Sequence, residues 1–139
     1  MLPLCKTTYQ SNSQTGESLL AFLKRSPLLY VLEKDGVVTM TRLRALPSRG
    51  FFRLLIPRLV SRVRTNPRGL SVTYKLDTPA LIMLIILLGA TVVELTMSRD
   101  LYPREYPPEF IIGLAGVYVL AVVYDVLVTK RVVKQILGA

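Results

Sequence analysis

The chain has 139 residues, 51% of them hydrophobic, with 18 Lys and Arg against 9 Asp and Glu for a net charge of +9. That length leaves room for one small soluble segment beside any membrane-spanning part, and the charge points to anionic partners. With no histidine and a single cysteine, Cys5, the commonest acid-base residue, haem ligand and zinc ligand are missing, and no disulfide framework can form.

In chain order, residues 1–16 are polar and unpatterned and read as an extended N-terminal arm. The start MLPLCKTTYQSNSQTG lacks the continuous apolar region of a secretory signal and the arginines of a transit peptide. A polar stretch such as Thr7 to Gly16 cannot bury itself, so it is expected to lie along a partner.

Residues 17–78 form a basic segment. TGESLLAFLKRSP predicts a short helix with Thr15 as N-cap, Glu17 in the first turn, Lys24 and Arg25 in the last, and Pro27 as the stop; Leu19, Leu20, Phe22 and Leu23 are there to be buried. Leu28 to Glu33 and Val37 to Arg42 flank a Lys34-Asp35-Gly36 turn and predict a β-hairpin. From Arg42 to Arg68 there are eight arginines and no acid. With Pro57 at a first helical position, Ile56, Leu59, Val60 and Val63 fall on one arc, which predicts a basic amphipathic helix lying in a headgroup plane. After the Asn66-Pro67-Arg68-Gly69 turn, Leu70, Val72, Tyr74 and Leu76 alternate with Ser71, Thr73 and Lys75 and predict a half-buried strand. Added to the hairpin, it would make a small three-stranded sheet.

Residues 79–97 and 110–128 are apolar runs of 19 residues each. As helices at about 1.5 Å per residue, each reaches roughly 28 Å, the thickness of a thin hydrocarbon layer. The predicted fold is therefore a membrane protein, mainly α: a two-helix antiparallel transmembrane hairpin with a small basic α+β N-terminal extension. Thr78 is placed to cap the first helix and Pro79 to fill its first turn. Residues 98–109 form a loop rich in Pro and Tyr, with Tyr102, Tyr106 and Phe110 at one interface and Tyr74 at the other. Residues 129–139 read as a basic C-terminal tail with Lys130, Arg131 and Lys134.

Charge sets the expected topology. The 13 basic and 4 acidic residues before Pro79 carry the whole excess, whereas Arg99 to Glu109 nets minus one. Positive-inside bias then puts both termini on the cytoplasmic, matrix or stromal side. Arg53, Arg58, Arg62, Arg64, Arg68, Lys130, Arg131 and Lys134 are the candidate contacts for a lipid headgroup or an acidic partner, an anionic cardiolipin-like phospholipid included.

Glu94 and Asp125 are costly in lipid and are read as intramembrane polar pairing residues. They sit near opposite ends of their helices, so they do not form a dyad. Local partners are expected, Arg99 or Arg104 for Glu94, and Lys130, Arg131 or a neighbouring subunit for Asp125. Gly89, Gly113 and Gly116 are candidates for close helix packing, although their spacing is not GxxxG.

No phosphate-binding glycine loop, cysteine pair or nucleophile elbow occurs, so no enzyme activity, catalytic residue, cofactor or metal site is assigned. In organisation, a small basic chain with a membrane hairpin and an extension on the positive side resembles the supernumerary subunits of mitochondrial energy-transducing complexes. The resemblance implies an accessory role in a respiratory-chain or ATP synthase complex of the mitochondrial inner membrane, stabilising subunit and lipid packing, both termini in the matrix. A thylakoid or bacterial inner-membrane complex would look similar. The alternative is a membrane tether for an RNA-containing particle such as a ribosome. It ranks second because no RRM, KH or OB signature accompanies the arginines. A proton or ion pathway ranks third.

Overall fold

The computed structural model describes residues 3–10, 14–43, 57–67, 69–96 and 107–138. In chain order these form β1 (Pro3–Gln10), α1 (Gly16–Arg25), β2 (Leu29–Lys34), β3 (Val37–Arg42), β4 (Leu59–Asn66), β5 (Gly69–Leu76), α2 (Thr78–Thr96) and α3 (Pro108–Leu137). The strands make one antiparallel five-stranded sheet in the order β1-β5-β4-β3-β2. The basic extension is therefore a larger sheet than the three strands read from the sequence.

Two of its hairpins follow from turn chemistry. Asp35 and Gly36 both have positive φ, the requirement of a two-residue turn matched to strand twist, and Lys34 pairs with Val37 across it. Pro67 lies in the turn between Asn66 and Gly69, which pair with each other and carry β4 into β5. Leu70, Val72, Tyr74 and Leu76 are fully buried along β5, the alternation visible in the sequence.

Two readings of the extension and one of the tail are corrected. The basic amphipathic helix expected after Pro57 is a strand, β4, with Leu59, Ser61 and Val63 buried. Val60, Val63 and Thr65 are β-branched, and β5 supplies a ready ladder of backbone donors and acceptors one short turn away. Ser61 at an inward position is what breaks the apolar alternation and lets a helical arc compete. Ile56, the first member of that arc, lies outside the described residues. The N-terminal arm, in turn, does not wait for a partner: β1 pairs with β5 from Pro3↔Lys75 to Gln10↔Gly69, and Tyr9 is buried. Finally, the tail is helix. Val126, Val132, Val133 and Ile136 continue the apolar spacing through the charged residues, so α3 runs to Leu137. Gly138 ends it with φ of 66°, its N–H donating to the carbonyls of Gln135 and Lys134.

The inner face of the sheet carries one core, built from Tyr9, Leu29, Val38, Met40, Val63, Leu70, Val72 and Tyr74. Leu19 and Leu23 of α1 and Val133 of α3 pack onto it. Phe22, expected to be buried with them, is exposed. Gly16 and Gly69 permit the closest backbone approaches. A Cβ on Gly16 would strike the carbonyls of Asn66 and Gly69, and one on Gly69 the carbonyl of Tyr9.

A second core begins at the end of β5. There Leu59 and Leu76 join Ala80 and Leu87 of α2 and Ala115, Tyr118 and Val122 of α3. The Tyr118 hydroxyl donates to the Ala80 carbonyl at 3.2 Å. The cap of α2 is Asp77 rather than Thr78. Its carboxylate accepts the Thr78 N–H at 2.8 Å and its carbonyl the Leu81 N–H at 2.9 Å.

Candidate functional site

Both α2 and the stretch Glu109–Leu137 of α3 are long and apolar enough to cross a membrane, by length and composition. Only 11% of the first apolar window and 22% of the second are buried within the chain. Exposed on them are Ile82, Ile85, Ile86, Leu88, Val92 and Val93 of α2 and Val117, Leu120, Val123 and Leu127 of α3. A core helix of a water-soluble domain would have covered these side chains.

The glycines read as packing residues do not serve the contact between the two helices. A Cβ on Gly89, Gly113 or Gly116 would meet nothing within 4 Å. Ala80, Leu87, Ala115, Tyr118 and Val122 make that contact instead. Small side chains on the sequence mark close approach only when they also lie on the facing stripe.

At the foot of the helices, Arg42 at the end of β3 meets Asp125 in α3, Nη2 to Oδ1 at 2.6 Å. The Asp125 side chain is 4% exposed and the Arg42 side chain 23%. The partners foreseen for Asp125, Lys130 and Arg131, lie further along the same helix, whereas Arg42 comes from 83 positions away in sequence. Arg42 Nε and the Thr129 hydroxyl are buried beside this pair's elements without a hydrogen-bond partner. Glu94 is half-buried near the end of α2, and Arg99 and Arg104 lie outside the described residues.

Lys130 turns inward, unlike a headgroup contact. Its ammonium sits 5.9 Å from the centroid of the Tyr74 ring. Its charge, through a hydrogen bond to the thiol, is the main reason the Cys5 thiol titrates below its ordinary value; burial opposes the shift, and Thr7 adds to it. Tyr74 and Tyr9 share a hydrogen bond between their hydroxyls at 3.0 Å. Burial first, and that bond second, push the Tyr74 phenol far above its ordinary value. Cys5, Tyr9, Arg42 and Tyr74 had carried no signal as a group, since the sheet alone brings them to α3.

The outer face of the sheet is different in kind. The register aligns Leu32, Thr39, Arg62, Thr73 and Lys6 in one row across all five strands. A second row aligns Arg64, Ser71 and Thr8, and Lys75 stands opposite Val60. Lys6, Thr8, Lys34 and Arg64 are exposed and Thr39, Arg62, Thr73 and Lys75 half-buried. Among the described residues no carboxylate lies on this face within the strands. Glu33 alternates to the other side, where it pairs with Lys24 of α1 at 2.8 Å. Asp77 lies beyond β5 and caps α2.

Of the remaining predicted contacts, Arg131 and Lys134 are exposed on α3 and Arg58 is exposed just before β4. Arg53 and Arg68 lie outside the described residues. Among the described residues no group of three or more His, Cys, Asp or Glu side chains is placed to hold a metal ion. Comparisons with protein-family models, with curated proteins and with solved structures return no match.

Proposed function

We propose that the chain is an integral membrane accessory subunit of a larger assembly. In this reading α2 and the first part of α3 cross the bilayer as an antiparallel pair. The sheet stands on the positive side, clamped to the extension of α3. The observation that carries the reading is the mismatch between the two apolar helices and their cover: large aliphatic side chains face outward along both. The docking of the end of α3 on the sheet core supports a common side for the two ends of the chain.

The host we propose is an energy-transducing complex, a mitochondrial respiratory or ATP synthase complex with both termini in the matrix. A scaffolding role in subunit and lipid packing is supported by how the polar groups of the fold are used. Asp125 is engaged by Arg42, and Lys130 by Tyr74, in contacts that hold elements together. That use also argues against the ion-pathway reading of Asp125. Membranes solubilised in digitonin and resolved by native electrophoresis test the proposal. Co-migration with a large complex and resistance to alkaline extraction are expected. A lone species of 15.6 kDa, or release by alkali, would sink it.

The second reading, a tether for an RNA-containing particle, is favoured by one feature, the outer face of the sheet, where the described strand residues present cations and no carboxylate.

A further inference from the structure

We infer that the outer face of the sheet is a docking surface for the sugar-phosphate backbone of RNA. The inference goes beyond the accessory-subunit proposal and uses only its membrane-anchoring part, in the step that sets lipid aside.

The chemistry of the face comes first. Lys6, Lys34, Arg62, Arg64 and Lys75 share it with the hydroxyls of Thr8, Thr41 and Thr73 and the amide of Gln10, in positions fixed by the register; Ser71 between them is buried, and the Thr39 hydroxyl donates to the Leu32 carbonyl at 3.2 Å. Backbone phosphates are contacted by this mixture of guanidinium, ammonium, hydroxyl and amide donors. Along β4, Arg62 and Arg64 are about 7 Å apart, and Arg62 and Lys6, two strands apart, about 10 Å. The cations therefore form a grid, and each can meet a separate phosphate. Among the described residues of the strands the carboxylate, Glu33, is turned to the other face, where it pairs with Lys24.

Two competing occupants fit less well. A protein interface is anchored by buried aromatic or large aliphatic side chains near its centre. Here β4, β5 and β1 present Val60 and Leu4 as their outward large apolar residues, Val37 stands outward at the start of β3, and Leu32 and Tyr30 lie at the β2 edge. Nucleic-acid interfaces are more polar and more positively charged than protein interfaces, which suits the cluster of Lys6, Arg62, Arg64 and Lys75 at the centre of this face. The central strands also lack an outward aromatic for base stacking, so binding would follow the backbone and not the sequence.

Lipid is set aside by height. Arg42 meets Asp125 at the level of the sheet end that adjoins α2, and Tyr74 meets Lys130 further along both elements, so β5 and α3 run side by side. The strands thus stand along the axis that enters the bilayer. At about 3.3 Å per residue, Arg62 is roughly 10 Å and Arg64 roughly 17 Å from the Leu76 end. A headgroup layer is only about 5–8 Å thick. Lys75 is low enough to touch it; Arg64 is not.

The test uses the full chain in nanodiscs of phosphatidylcholine, with a fluorescein-labelled 20-base-pair RNA duplex as probe and anisotropy as readout. Binding that weakens steeply with salt is expected. The variant Arg62→Gln/Arg64→Gln/Lys75→Gln should bind at least about tenfold more weakly, with a salt slope lower by about two to three. Arg62→Lys/Arg64→Lys should bind as the parent does, which separates charge from misfolding. Arg131→Gln/Lys134→Gln, on α3, should stay within about twofold of the parent.

No duplex binding at low salt overturns the inference, as does an unchanged triple variant. Tighter binding of polyglutamate than of RNA would assign the face to an acidic protein. Loss of binding to phosphatidylglycerol nanodiscs, with RNA binding intact, would assign the cations to lipid. Alkaline extraction of the same chain reports on membrane anchoring separately, so failure of one reading does not mimic failure of the other.

Discussion

Arg42 and Asp125 lie 83 positions apart in sequence and 2.6 Å apart in space, and their contact joins the last residue of β3 to the middle of α3. A carboxylate this deeply covered has given up contact with water, and the guanidinium supplies a charge-assisted hydrogen bond in its place. The pair thus fixes where the sheet sits along the helix, although its net contribution over an apolar contact need not be large.

Breaking the pair from one side should therefore cost more than removing it. Asp125→Ala leaves a mostly covered guanidinium alone and is expected to destabilise by about 3–5 kcal/mol. Arg42→Met with Asp125→Leu should recover most of that loss, because Arg42 Nε and Thr129 Oγ1 are already unsatisfied in the same region. Denaturant unfolding in micelles across the double-mutant cycle measures the coupling. Additive single and double effects would show that the contact does not clamp the fold.

Gly69 is a place where backbone meets backbone. An added Cβ would press on the Tyr9 carbonyl, a rigid neighbour held in the β1–β5 ladder, so relief requires β1 to shift. Gly69→Ala should cost about 1–3 kcal/mol, the usual range for overpacking. Gly36 has open space around it and only its φ of 71° to lose, so Gly36→Ala should cost about 1 kcal/mol. Thermal melts of the two variants, ranked in the opposite order, would count against the close approach.

These contacts mark the boundary of what the sequence made legible. Local periodicity and turn chemistry suffice for the β2–β3 hairpin, for the alternation of β5 and for two helices apolar enough to cross a membrane. The residues that failed are those whose state is decided by a distant neighbour. Leu59 to Arg64 satisfies a helical arc and a strand nearly equally, and only the adjacent edge of β5 breaks the tie. The arm before Gln10 looks partnerless until β5 is known to have a free side for it. Past Asp125, the charges of Lys130, Arg131 and Lys134 hide the stripe that Val126, Val133 and Ile136 continue. Of the candidate cations, Arg62 and Arg64 share a face with Lys75 and Lys6, which were not among them, and that grouping exists only in the register.

Cys5 offers a pH-dependent readout of that register. Lys130, reaching across from α3, stabilises the thiolate and lowers the pH at which the thiol ionises. The folded state thus favours the ionised form. Its contribution to stability is fully present above the pH at which the unfolded thiol ionises, and it is lost as pH falls through the lower folded value. Iodoacetamide alkylation of the folded protein should reach half its maximal rate at a lower pH than in Lys130→Met. Identical profiles in the two proteins would mean that Lys130 does not reach the thiol.

The two apolar helices can be tested at one exposed position. Ile86 of α2 is 58% exposed, so on a water-soluble protein Ile86→Arg would be a surface change worth within about 0.5 kcal/mol and would reduce aggregation. In a bilayer the same side chain sits near the middle of a 19-residue span, where an arginine costs about 2.5–3.5 kcal/mol for insertion. Leu87, one residue on, is buried against α3, so Leu87→Ala should weaken the helix pair while leaving insertion intact. The expected outcome is that Ile86→Arg lowers the fraction of chain resisting alkaline extraction and Leu87→Ala does not. A soluble, fully folded Ile86→Arg protein would show that the outward aliphatic face meets water or a partner instead of lipid.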